Sequence, residues 1–154
     1  KGWLGQSLFA REVFEREEGA PPNVNLQLEK LNGNFIKRII NKKLINSCHD
    51  ISDGGIAICL LEMSMTSSIG FTLEIDSGVT NAWLFGEDQG RYIITCENAM
   101  SSTIIDLAKK NKISMFKIGS TGGKYISFSR NEKIYLDELK NDNKDWLTNY
   151  MSNN

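Results

Sequence analysis

Histidine occurs once, proline twice and cysteine three times among the 154 residues of this chain. The lone His49 leaves no histidine set for a metal centre. Cys48, Cys59 and Cys96 are odd in number and lack C-x-x-C spacing, which argues against zinc and against a disulfide framework. Each cysteine lies in an apolar or strand-like run, where an unpaired thiol behaves as a small buried hydrophobe. An excess of one charge is also missing: 18 basic residues stand against 19 acidic ones, so there is no broad basic surface for DNA or RNA. No apolar run reaches the roughly 20 residues of a membrane span, and the start of the chain lacks a charged region followed by an apolar signal core. These absences describe a reduced, soluble, cytoplasmic protein with no nucleic-acid or membrane partner and no metal ligands of its own.

What is present suffices for one domain, 1–154, able to bury about two-thirds of the surface its unfolded chain exposes. The first residue is Lys rather than Met, and Gly2-Trp3-Leu4-Gly5 begins abruptly with apolar character. A piece of a longer chain is the expectation.

Leu4, Leu8, Phe9, Val13 and Phe14 recur near helical spacing and predict a helix started by Ser7 or Gln6 and ended by the charged run 15–18 and Pro21-Pro22. A second helix is expected over 26–40, kinked or broken at Asn32-Gly33-Asn34. A strand over 44–48 precedes a helix over 56–65 that is apolar nearly all round and therefore belongs under other structure, with Glu62 at its one wet edge. Period-two stretches predict strands at 70–75 and 92–96, then a helix over 100–111 with lysines at its end, a strand at 114–118, a turn at 119–123 and a closing hairpin of 125–128 with 133–136. The tail from 137 to 154 reads as one or two short helices and a frayed end. From 44 to 118 the order is βαββαβ. The fold class is thus α+β, a ferredoxin-like split βαβ core with a mainly antiparallel sheet covered by helices, extra N-terminal helices and a C-terminal hairpin.

Two polar clusters could carry chemistry. The first is Cys48-His49-Asp50-Ile51-Ser52-Asp53-Gly54-Gly55, at a strand-to-helix junction of the kind that offers free backbone N–H groups to anions. Asp50 and Asp53 would repel a bare phosphate there unless Mg²⁺ offset them. Asp53 is well placed to cap the following helix, and Asp50 has no equally obvious structural duty. Cys48 and His49 are adjacent on a strand and point to opposite faces, which speaks against a nucleophile pair. The second cluster is Glu87-Asp88-Gln89-Gly90-Arg91, two carboxylates, a carboxamide and a guanidinium that either bind a polar ligand or fix a turn.

Taken in order, Leu4-Gly5-Gln6-Ser7-Leu8-Phe9, Gly19-Ala20-Pro21-Pro22, His49-Asp50-Ile51-Ser52-Asp53-Gly54-Gly55 with Glu62-Met63, and Leu84-Phe85-Gly86-Glu87-Asp88-Gln89-Gly90-Arg91-Tyr92 resemble the C-terminal domain of the aminoimidazole ribonucleotide synthetase superfamily. Within it the likeness is to the branch of separate-subunit phosphoribosylformylglycinamidine synthases, over nearly the whole chain. The resemblance implies the last of four domains of an ATP-dependent, Mg²⁺-dependent ligase of purine biosynthesis. That enzyme converts formylglycinamide ribonucleotide to the amidine with glutamine-derived ammonia. Its partners would be the preceding domains, a glutaminase subunit and a small accessory subunit. ATP would activate the amide oxygen so that ammonia displaces phosphate, chemistry that rests on positioning and charge neutralisation.

The resemblance assigns no catalytic residue to this chain, because the catalytic histidines and the ATP and Mg²⁺ ligands of such enzymes lie mainly in other domains. The candidates for ligand or interdomain contact are Gln6, Asp50, Ser52, Asp53, Gly54, Gly55, Glu87, Asp88 and Gln89. In the first half of such an enzyme the counterpart of Glu87-Asp88-Gln89 is a Glu-Ser-Gln that holds substrate, and the counterpart of Gln6 touches it too. Asp88 in place of the serine would oppose a phosphate. That substitution implies a vestigial or auxiliary nucleotide site, or only a structural role. The alternatives are a stand-alone nucleotide-binding or regulatory module using Asp50, Asp53 and Glu87 through Mg²⁺, and a Cys–His hydrolase.

Overall fold

A computed structural model of the chain describes residues 2–75, 78–129 and 132–152. The described residues of 1–59 and 76–117 make one compact unit, those of 60–75 and 118–154 a second.

In the first unit Ser7 caps α1 (Leu8–Phe14), its hydroxyl accepting from the Ala10 N–H, and Glu15 ends the helix in the left-handed conformation. Helix α2 (Leu26–Asn41) starts at Asn25, whose side chain accepts from the Leu28 N–H at 3.0 Å, and runs unbroken through Asn32-Gly33-Asn34. The helix is not split into two pieces there, because Phe35, Ile36 and Ile39 are buried on one face and Asn32 Nδ2 donates to the Gly90 carbonyl at 2.9 Å. Such anchoring outweighs a glycine's propensity cost of about 1 kcal/mol.

Strand β1 (Ser47–Asp50) lies three residues later than the sequence pattern suggested. Leu44 and Ile45 instead pack on the core of Phe35, Ile36, Ile39, Ile104 and Ala108. As a result Asp50 sits on the strand rather than after it. Helix α3 (Gly55–Ser67) begins in the first unit and ends in the second; Ile56, Ala57, Cys59 and Leu60 are buried and Glu62 is exposed, as its all-round apolarity demanded.

Two further helices complete the first unit. A short α4 (Asn81–Phe85), capped by Thr80, is too brief to show a period in the sequence. Strand β3 (Tyr92–Thr95) pairs antiparallel with β1, from Ser47↔Thr95 to Asp50↔Tyr92. A single 3-10 turn, Asn98–Met100, leads into α5 (Ser101–Lys110), which ends on Lys109 and Lys110.

In the second unit β2 (Phe71–Leu73) pairs antiparallel with β4 (Gly119–Thr121) and parallel with β5 (Tyr125–Ser129), which in turn pairs with β6 (Glu132–Tyr135), in the order β4-β2-β5-β6. The strand expected at 114–118 is thus displaced into the expected turn. Glycine explains the displacement: a Cβ at Gly119 would meet the Phe71 ring at 2.7 Å, so only glycine lets these two segments approach. The closing hairpin is present, and a single helix, α6 (Leu136–Ser152), replaces the short helices expected of the tail. Residues 130–131, between the two hairpin strands, and 153–154, at the end of the tail where fraying was expected, lie outside the described residues.

The class is α+β with mainly antiparallel pairing, as expected. The strands of the supposed split βαβ sheet, however, fall into two separate sheets, because β4 pairs with β2 and β2 takes its other partner from the hairpin. Among the described residues no helix is long and apolar enough to cross a membrane.

Candidate functional site

The junction after β1 turns on two glycines in the left-handed region, Gly54 at φ 74° and Gly55 at φ 68°. Gly55 has a second reason to be glycine, since a Cβ there would lie 2.6 Å from the Leu84 carbonyl oxygen. Its N–H donates to the Ser52 carbonyl at 3.1 Å. The Gly54 N–H donates to Glu87 Oε1 at 2.9 Å. The same oxygen accepts the Leu8 N–H, the first of α1, at 2.8 Å. One carboxylate thereby takes two orphan donors from segments 46 residues apart, which suits the positive end of a helix dipole. Phe9 stacks on Phe85 at 4.5 Å between ring centroids and holds α1 beside this residue.

Asp88 has a similar role. Its Oδ2 accepts from the Gly2 N–H at 2.6 Å and the Trp3 N–H at 3.2 Å, while the Glu87 N–H donates to the Trp3 carbonyl at 3.0 Å. Partial burial alone would raise the Asp88 carboxyl, but these two amides and the neighbouring Arg91 outweigh it and hold the group below its ordinary range. Arg91 pins the loop from within: Nε donates to the Asp88 carbonyl at 2.9 Å and an Nη to the Gly86 carbonyl at 2.5 Å, with the Asp88 carboxylate 3.9 Å away. Burial pulls its guanidinium down, opposed by Asp88.

The remaining candidates divide between two open depressions of the first unit. Gln6, Asp53 and Glu87 line the larger, about 300 Å³, together with Arg11, Arg16 and Glu17. Gln6, at φ 57°, donates through Nε2 to the carbonyls of Glu17 at 2.9 Å and Gly19 at 3.1 Å, so it fixes the loop after α1. Asp50, Ser52 and Gln89 line the smaller, about 200 Å³, with Glu29, Arg91 and Tyr92. Arg11 and Arg16 line the larger depression too, and the charged run 15–18 is exposed, as expected of a solvated end of helix.

Neither depression is a ready anion cradle. In the larger, three carboxylates face two guanidinium groups, and Arg11 and Arg16 already pair with Glu12 and Glu18 at 2.9 Å and 3.7 Å. Among the described residues no three His, Cys, Asp or Glu side chains converge as a metal-ligand set. Cys48 and His49 do not form a nucleophile pair. Cys48 packs against the core of the first unit, and burial, then Asp50, raises its thiol, while His49 Nδ1 lies 2.6 Å from the Asp50 carbonyl.

A family model described as AIR synthase related protein, C-terminal domain, matches residues 1–129. The chain is 39% identical over 153 residues to phosphoribosylformylglycinamidine synthase subunit PurL of Rhodopseudomonas palustris, covering 98% of this chain and 21% of that protein. It is 39% identical over 154 residues to the PurL subunit of Nitrobacter hamburgensis, covering 99% and 21%. The chain spans about a fifth of the length of the curated relatives it matches. Among solved structures, phosphoribosylformylglycinamidine synthase II from Thermotoga maritima superposes with a TM-score of 0.69 at 14% identity, over 90% of this chain and 24% of that one. Thermotoga maritima PurL complexed with ATP gives 0.66 at 14% identity over the same shares. These two likenesses establish a common fold.

Proposed function

The chain belongs to the family of AIR synthase related proteins, C-terminal domain, and from that premise we propose that residues 1–154 are one domain, the C-terminal one, of a phosphoribosylformylglycinamidine synthase. The complete polypeptide would be an ATP- and Mg²⁺-dependent ligase of purine biosynthesis in the cytoplasm. It would convert formylglycinamide ribonucleotide, with ammonia delivered from a glutaminase subunit and with a small accessory subunit bound, to formylglycinamidine ribonucleotide. Alignment with PurL subunits over nearly all of the chain supports this reading.

Within that enzyme this domain is structural or an auxiliary nucleotide-binding element rather than the seat of catalysis. The observation that carries this is the engagement of its acids: Glu87 Oε1 is occupied by the Leu8 and Gly54 amides, and Asp88 Oδ2 by those of Gly2 and Trp3. A carboxylate so held positions backbone and is poorly free to move a proton or bind a cation. ATP would be bound chiefly by groups outside these residues, where it supplies a phosphoryl group to activate the amide oxygen. The part left to Glu87 and Asp88 is to fix the loops from which Gln6, Asp50, Ser52, Asp53 and Gln89 face a ligand or a neighbouring domain.

Two measurements test the reading. The chain by itself should show no synthase turnover; turnover would sink the non-catalytic assignment. Calorimetric titration with Mg-ATP and Mg-ADP separates it from a stand-alone nucleotide module: heat saturating at micromolar nucleotide would favour the module, and none at millimolar concentration the dependent domain.

A further inference from the structure

Half of the 18 basic residues stand in two short segments, 30–43 and 107–117, that hold no Asp or Glu, while the rest of the chain carries all 19 acidic residues. The fold brings the ends of those segments together. Helices α2 and α5 share one core, Phe35, Ile36 and Ile39 with Ile104 and Ala108, and Arg38 in the last turn of α2 donates to Asn111 Oδ1, just past α5, at 3.3 Å. The two helices therefore stop side by side. Arg38, Lys42, Lys43, Lys109, Lys110 and Lys112 gather there, all six exposed.

The helix ends account for only part of that charge. Aligned peptide dipoles leave about half a negative charge at each C-terminus, so two ends call for about one cation. Six are present. Asp106, the one acid of α5, lies a turn before Lys109 and Lys110, yet among the described residues none of the six cations forms an ion pair with a carboxylate. Both helices also stop alike. Lys43 and Lys112 follow the caps Lys42 and Asn111 at φ 54° and 59°, and the next amides, those of Leu44 and Ile113, return to the Ile39 and Ala108 carbonyls. That left-handed position favours glycine or asparagine, so in each helix a cation stands where the backbone alone would select another residue.

We propose that this end of the first unit docks a carboxylate-rich face of a separate protein, in a reversible contact steered by charge. Permanent cover by the remainder of a longer polypeptide would desolvate six cations, which is costly even when they are paired, and lysine is depleted from interface cores. A reversible contact leaves them largely hydrated. Nucleic acid suits the surface less. Five of the six cations are lysines, hydrated point charges without the planar fork that grips phosphate, and two helix ends about 8–10 Å apart offer no extended track for its backbone.

The test uses the complete polypeptide from the reading frame that contains this chain, with a decaglutamate peptide as the probe. Acetylation by an N-hydroxysuccinimide ester, read by mass spectrometry, should label Lys42, Lys43, Lys109, Lys110 and Lys112 readily in that polypeptide and more slowly once the peptide is added. Lysines already protected without peptide show that the polypeptide itself covers the surface, and overturn the proposal. Fluorescence anisotropy of labelled peptide should show binding that weakens at least about tenfold between about 50 and 300 mM salt. The triple variant Lys42→Glu, Lys109→Glu, Lys110→Glu should lose at least about tenfold in affinity with an unchanged melting temperature, because all three side chains are exposed. The same charge change at Lys124, Lys133 and Lys144, exposed residues of the second unit, should lose far less. Equal losses in the two triples reduce the contact to net charge and overturn the proposal. So do the absence of binding at low salt and tighter binding of decauridylate RNA than of decaglutamate.

Discussion

Glu87 Oε1 accepts the Gly54 N–H at 2.9 Å across 33 residues of sequence. With the Leu8 amide on the same oxygen, Glu87 is the joint between α1 and the turn that opens α3. Replacing it with Ala leaves two part-buried donors without their acceptor and should destabilise the chain by about 2 kcal/mol, read from the urea midpoint. Glu87→Gln keeps an acceptor oxygen and should lose about half as much. Equal losses would show that the hydrogen bonds do not matter.

Asp88 makes stability depend on acid. Its folded-state pKa is lowered, so the stabilisation is fully present above the ordinary carboxylate value and is lost as pH falls through the lower folded value. Wild type should therefore exceed Asp88→Asn in stability at pH 7, with the gap closing below about pH 4. Denaturation midpoints measured from pH 7 to pH 2 would reveal the convergence. A gap that stayed constant would mean the charge is not involved.

Gly55→Ala confronts both a left-handed backbone at φ 68° and a carbonyl oxygen 2.6 Å from the new methyl. A cost of about 2 kcal/mol or more is expected, with the melting temperature as readout.

Gly33→Ala should do the reverse. The site is inside α2, its φ is not in the left-handed region, and the nearest atom to an added Cβ, the Tyr92 hydroxyl oxygen, is 3.6 Å away, an ordinary contact. Restoring helix propensity there should stabilise by about 0.5–1 kcal/mol. Destabilisation would show that the glycine is required for packing.

The thiols should be slow. Burial first, then Asp50 for Cys48 and Glu97 for Cys96, raises both above the ordinary thiol value, so little thiolate exists at neutral pH. Iodoacetamide should modify Cys48 no faster than free cysteine at pH 7.5. Faster alkylation would revive the Cys–His hydrolase reading.

Local pattern carried much of this protein. Ser7 as cap, the double proline, the buried run 56–65, the lysines ending α5 and the hairpin at 125–135 are decided by neighbours in sequence, through side-chain periodicity, capping and turn chemistry. The motifs in their fixed order also carried the family, because several specific segments must coincide for the likeness to arise. Other features depended on distant partners. Asn32-Gly33-Asn34 stayed helical because Gly90 accepts from Asn32, and β4 formed at 119–121 because Gly119 allows close approach to Phe71.

The site divides in the same way. The sequence by itself determined which residues are polar, where glycines permit the turn at 54–55, and that Glu87 and Asp88 stand together before a strand. Only the tertiary structure decided what those carboxylates do. A backbone N–H carries no sequence label, and which acid it meets is fixed by folding that brings residue 87 to residues 8 and 54, and residue 88 to residues 2 and 3.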